Sequence, residues 1–235
     1  MENFRTLWNR ARAPRAGFQD RCRQAPSLGE AVRDLLLART PPLILAMVLG
    51  YVGFCQMFGR IARMEGPMFD YLRANLPDTV NPGELREAFQ GLPTLPSWQH
   101  VLPWMVLAAP IGVLSLWLHD AMWDHFCLWL LRGLKARKSL RVTLVAEAEA
   151  LKVGTLGALL DLLGALPGLG CLFQVLLLPV AVYFWIMRGY ALAAWHGCPV
   201  WKGVLATLLN AFFAGLFVVL LLGGFAILVM DAVRP

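Results

Sequence analysis

The sequence predicts an all-α integral membrane bundle of five transmembrane helices, with the N-terminus in the cytoplasm and the C-terminus outside. Of the 235 residues, 58% are hydrophobic and 15% charged, whereas ordinary soluble domains have about 45–50% and about 25%. The apolar residues fall into five stretches of membrane-spanning length. The basic residues are concentrated in alternate connections between those stretches. This pattern is typical of a multi-pass membrane protein with positively charged cytoplasmic loops.

Residues 1–40 are predicted to form a basic cytoplasmic tail with an amphipathic surface helix. The tail has eight arginines against four acids. Its aromatic residues alternate with arginines, a composition that suits anionic lipid headgroups. Ser27 and Glu30 have capping-box spacing, which predicts a helix over Ala31–Arg39 that ends at Pro41. This helix lies either on the membrane surface or on the protein's own cytoplasmic face.

The membrane domain, 41–235, is predicted to contain the five spans and one long polar connection on the outer side. The spans lie at about 41–59, 101–131, 142–166, 169–190 and 203–230, and the outer connection is 60–100. At ~1.5 Å per residue the second span is longer than the hydrocarbon core of a bilayer. We therefore expect it to tilt or to break near His119.

The charges of the connections predict the orientation. The net charge is −1 in 60–100, +5 in 132–141, 0 in 164–170 and +2 in 188–202. Because cytoplasmic loops are enriched in lysine and arginine, we expect the tail, 132–141 and 188–202 to lie in the cytoplasm. The net charge of +6 is explained by these loops beside the bilayer, so no nucleic-acid partner is expected.

The second and third predicted spans contain ionisable side chains, which are costly inside a membrane and therefore suggest a function. They are His119, Asp120, Asp124, His125, Glu147, Glu149, Lys152 and Asp161. Asp120 and Asp124 are four residues apart and share a helix face, and Glu149 and Lys152 are three apart and can neutralise each other. Glu147 has no such neighbour. We expect it to point into the bundle, near Asp124 or His125.

Three interpretations of these charges remain open. The first, which we favour, is a satisfied polar network that fixes the register of the helices. The second is a site for a divalent metal, since mixed carboxylate and imidazole ligands suit zinc, manganese or iron. Its ligands would be Asp120, Asp124, His125 and Glu147. The third is a proton or ion relay in a small transporter. No Walker, HExxH or GxSxG motif is present, so no enzymatic activity is expected.

Small residues follow Glu147 along one face of the third predicted span. Ala150, Gly154 and Ala158 form this stripe, which predicts close helix packing and the capacity to self-associate. Asn210 lies in the fifth span and is expected to form a hydrogen bond to a neighbouring helix.

Six short segments follow one another in a recognisable order. They include a proline–phenylalanine segment ahead of the surface helix, a histidine- and leucine-rich end of the second span, and a glycine turn before the fourth. The segments are Ala13–Phe18, His125–Gly133, Ser139–Thr143, Leu166–Gly170, Tyr190–His196 and Trp201–Ala206. In this order they resemble the Yip-domain family of Ypt/Rab-interacting membrane proteins, particularly its bacterial branch.

The resemblance implies a five-span membrane protein with a cytoplasmic N-terminus. Eukaryotic members act in vesicle trafficking, bind Rab GTPases and shape membranes. This chain lacks their long tyrosine- and glycine-rich tail, so Rab binding is not carried over. Its 17 arginines against four lysines indicate a GC-rich bacterial genome.

We therefore expect a non-enzymatic protein of the bacterial cytoplasmic membrane that organises membrane or partner proteins. Its partners would be the lipid bilayer, anionic headgroups at the tail, and other proteins or further copies of itself. The alternative function is a small transporter or a metal-binding membrane protein that uses the charged cluster.

Overall fold

The computed structural model describes residues 4–62, 95–164 and 170–233, and in these ranges it contains seven α-helices and no strand. Side chains are described within them except at 4, 61–62, 158–164, 170–174, 176 and 224–233. The helices are α1 (Phe4–Arg12), α2 (Pro14–Arg23), α3 (Leu28–Ala62), α4 (Trp98–Leu130), α5 (Leu140–Gly164), α6 (Gly170–His196) and α7 (Val200–Val233). The all-α prediction is confirmed for the described residues. The predicted outer connection, 60–100, lies mostly outside them.

Four helical segments within the described ranges are long and apolar enough to cross a membrane. They are Leu28–Arg60, Trp98–Leu130, Leu177–His196 and Val200–Gly223. Large apolar side chains are exposed along them, as at Val219 and Leu220 on α7, and such a continuous apolar surface marks contact with lipid. The chain is therefore a multi-pass membrane protein. The predicted span at 142–166 corresponds to α5, which is not among the four segments, so five spans remain a prediction.

Helix α5 lies at the centre of the bundle. It packs against α3, α4 and α6 and also contacts α1. Every residue from Val145 to Val153 is buried, so over this stretch the helix has no face left for lipid. Helices buried on all sides are usually apolar all round, but α5 carries Glu147, Glu149 and Lys152 within its buried stretch. These charges must therefore find partners inside the protein.

Helix α3 begins as predicted but does not end as predicted. Glu30 N–H donates to Ser27 Oγ at 3.2 Å, and Ser27 N–H donates to Glu30 Oε2 at 2.9 Å, which confirms the capping box. The predicted end at Pro41 is wrong, because α3 continues through both prolines to Ala62. Just before the prolines, Arg39 Nη1 donates to the Gly154 carbonyl of α5 at 3.1 Å. The helix thus continues without the two backbone donors that the prolines lack, and Arg39 attaches this part of α3 to α5.

Helix α4 is a single helix without a break near His119. It contains Pro103 and Pro110 and continues to Leu130. The length of the second span predicted either a tilt or a break near His119, and the continuous helix excludes the break.

The N-terminal helices α1 and α2 pack against one end of the bundle. Phe18 is fully buried, its ring meets Trp195 of α6 edge-on at 6.5 Å between centroids, and the Arg10 guanidinium lies 5.8 Å above it. Tyr183 Oη donates to the Ala11 carbonyl. The turn between α4 and α5 reaches the same end, since Ala136 N–H donates to the α6 carbonyl of His196. We call this the docked end.

Helices α6 and α7 touch backbone to backbone at two glycines. A Cβ on Gly203 would lie against the Gly189 carbonyl, closer than real Cβ atoms come to any atom, and a Cβ on Gly189 would meet the backbone of Val204. Only glycine at both positions allows this crossing. The contact fixes the position of Arg188, the residue before Gly189.

Candidate functional site

The guanidinium of Arg188 binds three carboxylates from two neighbouring helices. Its Nη1 lies 3.1 Å from Asp120 Oδ2, its Nη2 2.8 Å from Asp124 Oδ2, and its Nε 3.0 Å from Glu147 Oε2. Asp120 and Asp124 come from α4, where their spacing of four residues puts them on one face, and Glu147 comes from α5. The side chains of Asp124 and Glu147 are fully buried, and that of Arg188 is 10% exposed. We call these four residues the Arg188 cluster.

Asn210 connects the Arg188 cluster to α7. Its Nδ2 donates to Asp124 Oδ1 at 2.7 Å, which confirms the predicted interhelical hydrogen bond. Four helices, α4 to α7, therefore meet through one hydrogen-bonded group of side chains. The expected proximity of Glu147 and Asp124 is also confirmed, since both bind the guanidinium of Arg188.

The Arg188 cluster brings three acidic side chains to one guanidinium, which gives a formal charge of −2 if all are ionised. Glu147 Oε1 is buried and has no hydrogen-bond partner. His119 contacts Asp120 Oδ1 only at 3.4 Å, and its side chain is 51% exposed.

A second buried group has the opposite excess. Glu149 Oε2 receives Arg10 at 3.1 Å, and Glu149 Oε1 receives Arg21 at 3.2 Å and Lys152 at 2.8 Å. The predicted pair of Glu149 and Lys152 is thus confirmed. Since Glu149 is two residues after Glu147, their side chains leave α5 on opposite sides. Glu147 therefore binds Arg188 of α6, whereas Glu149 binds Arg10 of α1 and Arg21 of α2.

His125 belongs to a hydrogen-bonded chain at the docked end. Its Nδ1 lies 2.7 Å from Thr143 Oγ1, which lies 2.9 Å from His196 Nε2, and His196 Nδ1 donates to the Arg137 carbonyl at 2.5 Å. Because a carbonyl only accepts, a neutral His196 must accept from the Thr143 hydroxyl, which in turn accepts from His125. This chain ties α4, α5 and α6 together at the docked end.

The predicted metal-ligand set does not assemble. Asp120, Asp124 and Glu147 converge, but each gives an oxygen to Arg188, and His125 bonds Thr143 instead. Within the described residues no group of three or more His, Cys, Asp or Glu side chains could hold a metal ion. Arg188 already occupies an oxygen of each carboxylate, and the His125 imidazole contacts Thr143 and not these carboxylates.

The predicted stripe of small residues is described in part. Ala150 is buried. Arg39 Nη1 donates to the Gly154 carbonyl and would lie 4.0 Å from a Cβ at that position. This is an ordinary van der Waals distance, so the contact does not itself require glycine there. The side chains of Ala158 and Asp161 lie outside the described residues.

A cavity of about 360 Å³ borders the Arg188 cluster. Its polar lining comes from Arg39, Asp120, Arg188 and Asn210, and the rings of Phe184 and Trp185 form part of its wall. Apolar residues of α4, α5, α6 and α7 complete the lining. A polar region beside an apolar and aromatic wall is typical of small-molecule sites.

The sequence-based prediction missed the cations that neutralise these acids. Arg188 was assigned to the connection 188–202 on its charge, although it lies inside α6, and Arg10 and Arg21 were assigned to a lipid-facing tail. The sequence did contain one signal for these cations, because carboxylates buried in two spans require positive partners from elsewhere in the chain.

Comparison of the chain with protein-family models, curated proteins and solved structures found no match.

Proposed function

We propose that this chain is a five-span protein of the bacterial cytoplasmic membrane, similar to the Yip-domain family, that organises lipids or partner proteins without catalysis. Its N-terminus lies in the cytoplasm and its C-terminus outside. The observation that carries the proposal is the exposed basic surface of the docked end.

Nine basic side chains are exposed at this end on α1, α2, the turn before α5 and the first turn of α5. They are Arg5, Arg12, Arg15, Arg23, Arg132, Lys135, Arg137, Lys138 and Arg141, and we call them the basic rim. Trp8 is exposed beside them. Cationic and aromatic side chains next to apolar helices suit the level of lipid headgroups. Each cation near an anionic leaflet contributes about 1 kcal/mol, so the rim favours the cytoplasmic face.

The environment of α5 supports five spans rather than four. The helix has 25 residues, which at ~1.5 Å per residue is long enough to cross the hydrocarbon core. Mean hydropathy alone underestimates the capacity of α5 to cross the membrane, because the buried charges that lower its hydropathy are paired inside the protein. A central helix of this kind crosses without exposing Glu147, Glu149 and Lys152 to lipid.

Reporter fusions test the topology directly. We expect a fusion at residue 235 to be active as a periplasmic phosphatase and not as a cytoplasmic fluorophore. A fusion within 132–139 should behave in the opposite way. If α5 does not cross, four spans return the C-terminus to the side of the N-terminus, and a fluorescent fusion at 235 would contradict the proposal.

Anionic lipid binding tests the role of the basic rim. Replacing Arg132, Lys135 and Lys138 together with glutamine should reduce the phosphatidylglycerol retained by purified protein at least fivefold, since each removed charge loses about 1 kcal/mol. Native mass spectrometry measures the retained lipid, with phosphatidylcholine as the neutral reference. Arg60→Gln, an exposed position at the far end of α3, is the control. Equal retention by the triple variant and the control would contradict a lipid-binding rim.

A second candidate function, a small transporter, is favoured by one observation. The Arg188 cluster brings three acidic side chains to one guanidinium and borders a cavity, and buried ionisable groups beside a cavity are typical of ion and substrate pathways. A transporter of this kind must first bind a ligand in this cavity.

A further inference from the structure

We propose that a groove between α4 and α7 binds a lipid-soluble phenol, whose hydroxyl donates a hydrogen bond to His119. The groove encloses a cavity of about 600 Å³, and we call it the α4–α7 groove. Its lining includes His119 and Trp123 of α4 and Asn210, Phe213, Ala214 and Phe217 of α7. Only Asn210 and Ala214 also line the cavity beside the Arg188 cluster. The inference goes beyond the proposed function and requires neither transport nor anionic lipid.

The α4–α7 groove lies at the depth of the lipid tails. His119 is 11 residues before the end of α4 at Leu130, which at ~1.5 Å per residue is about 16 Å along the helix. The hydrocarbon core is about 30 Å thick, so His119 lies near its middle. Phe217 and Leu220 in the wall are 62% and 64% exposed. The groove is therefore open to the bilayer, and a ligand that enters it must be soluble in lipid.

The imidazole of His119 needs a polar partner at this depth. Its side chain is 51% exposed, and its Nδ1 lies 3.4 Å from Asp120 Oδ1. Because a carboxylate only accepts, Nδ1 carries the hydrogen, and Nε2 of the neutral ring is then an acceptor. No described residue forms a hydrogen bond with this Nε2. An unpaired polar atom in hydrocarbon costs free energy, and a donor on a ligand would remove that cost.

Asn210 supplies a second acceptor in the groove, independently of His119. The residue is 4% exposed and lines the cavity. Its Nδ2 donates to Asp124, which fixes the orientation of the amide, since the reverse would place two acceptors together. Among the residues that the structure describes, none donates to its Oδ1. A buried acceptor without a donor is costly, so this atom also favours a ligand that can donate.

The donors that remain in the groove distinguish a hydroxyl from other polar groups. Asn210 keeps one hydrogen on Nδ2, and the indole N–H of Trp123 has no partner in the described part of the chain. A hydroxyl accepts as well as donates, so it suits these donors and the two acceptors alike. A carbonyl or an ether only accepts and leaves both acceptors unpaired. An ammonium group only donates, and it brings a charge that hydrocarbon disfavours.

The wall of the groove suits an aromatic ring with an alkyl chain. The rings of Trp123 and Phe213 lie 6.1 Å apart between centroids, and Phe217 lines the same cavity. Aromatic rings in contact stabilise one another beyond the area that they bury. Leu216 and Leu220 complete the wall and suit an alkyl chain. The volume of about 600 Å³ is within the usual range for small-molecule sites.

Equilibrium dialysis of the full chain in lipid nanodiscs tests the proposal, with empty nanodiscs as the reference for partition into lipid. The probes are 4-butylphenol and 4-butylanisole, which share a ring and a chain, whereas only the phenol can donate a hydrogen bond. We expect saturable binding of the phenol at one site per chain, about fivefold tighter than the anisole, the scale of one hydrogen bond. Equal binding of the two probes, or tighter binding of the anisole, would overturn the proposal.

His119→Phe separates the hydrogen bond from the shape of the groove. This variant keeps a ring but has no acceptor, so the phenol should bind about as weakly as the anisole. Binding of the anisole should be the same as in the wild type, which shows that the groove is folded. His100→Phe changes an exposed histidine on the same helix, and as the matched control it should keep the preference for the phenol. A preference that persists in His119→Phe overturns the proposal.

Ala214→Leu tests the place of binding. The larger side chain fills part of the groove and leaves His119 and Asn210 unchanged, so it should abolish saturable binding at an unchanged melting temperature. Retained binding would place the site elsewhere and overturn the proposal. If the wild type binds neither probe beyond empty nanodiscs, lipid, water or the protein itself fills the groove, and the proposal is wrong. None of these outcomes changes the results expected from the reporter fusions or from lipid retention.

Discussion

Replacing Arg188 with methionine is expected to destabilise the protein more than any other single substitution among the described residues. The change keeps an unbranched, flexible side chain but removes the guanidinium, which leaves Asp120, Asp124 and Glu147 without their shared cation. Removing one partner of a buried ion pair costs about 3–5 kcal/mol, and here three carboxylates lose their partner. We expect a large fall in the melting temperature of the detergent-purified protein, or failure to accumulate in the membrane.

Two comparisons separate the loss of charge pairing from a general effect of losing an arginine. Arg5→Met removes an exposed arginine on α1 and should leave the melting temperature nearly unchanged. Adding Asp120→Asn, Asp124→Asn and Glu147→Gln to Arg188→Met removes the unpaired charges and should restore much of the stability. A wild-type melting temperature for Arg188→Met alone would show that the cluster does not hold α4, α5 and α6 together.

Gly203→Ala is the second substitution with a large expected effect. The new methyl group would lie against the Gly189 carbonyl at a distance that real Cβ atoms do not adopt, so α6 and α7 must move apart. Overpacking of a close contact typically costs about 1–3 kcal/mol, and here the obstacle is backbone, which cannot rotate away. Thermal unfolding followed by circular dichroism measures the loss.

Gly215→Ala is the matched control because Gly215 lies on the same helix and a Cβ there would meet nothing within 4 Å. Alanine is a better helix former than glycine by about 1 kcal/mol, so this variant should be as stable as wild type or slightly more stable. If the two alanine variants unfold at the same temperature, the backbone contact of α6 and α7 does not limit stability.

The features predicted correctly from the sequence depend on composition or on short spacing. The membrane class follows from hydropathy, while the capping box of Ser27 and Glu30 and the pair of Glu149 and Lys152 each follow from a separation of three residues. Local geometry decides such contacts, since residues three apart on a helix are always neighbours.

The features that were missed depend on contacts between distant parts of the chain. Arg188 meets Asp124 across 64 residues, and Arg10 meets Glu149 across 139. No periodicity within either helix indicates such a partner. Helix α3 likewise continues past Pro41, where the nearby Arg39 binds α5 across 115 residues. Tertiary packing overrides local propensity at this point.

The two acids of α5 also differ in when their partners exist during synthesis. Arg10 and Arg21 precede Glu149 in the chain, so they are already made when α5 emerges from the ribosome. Arg188 follows Glu147 by 41 residues, so Glu147 must wait for most of α6 before its cation is available. Helix α5 can therefore reach its buried position stably only together with α6, and we expect these two helices to enter the bundle as a pair.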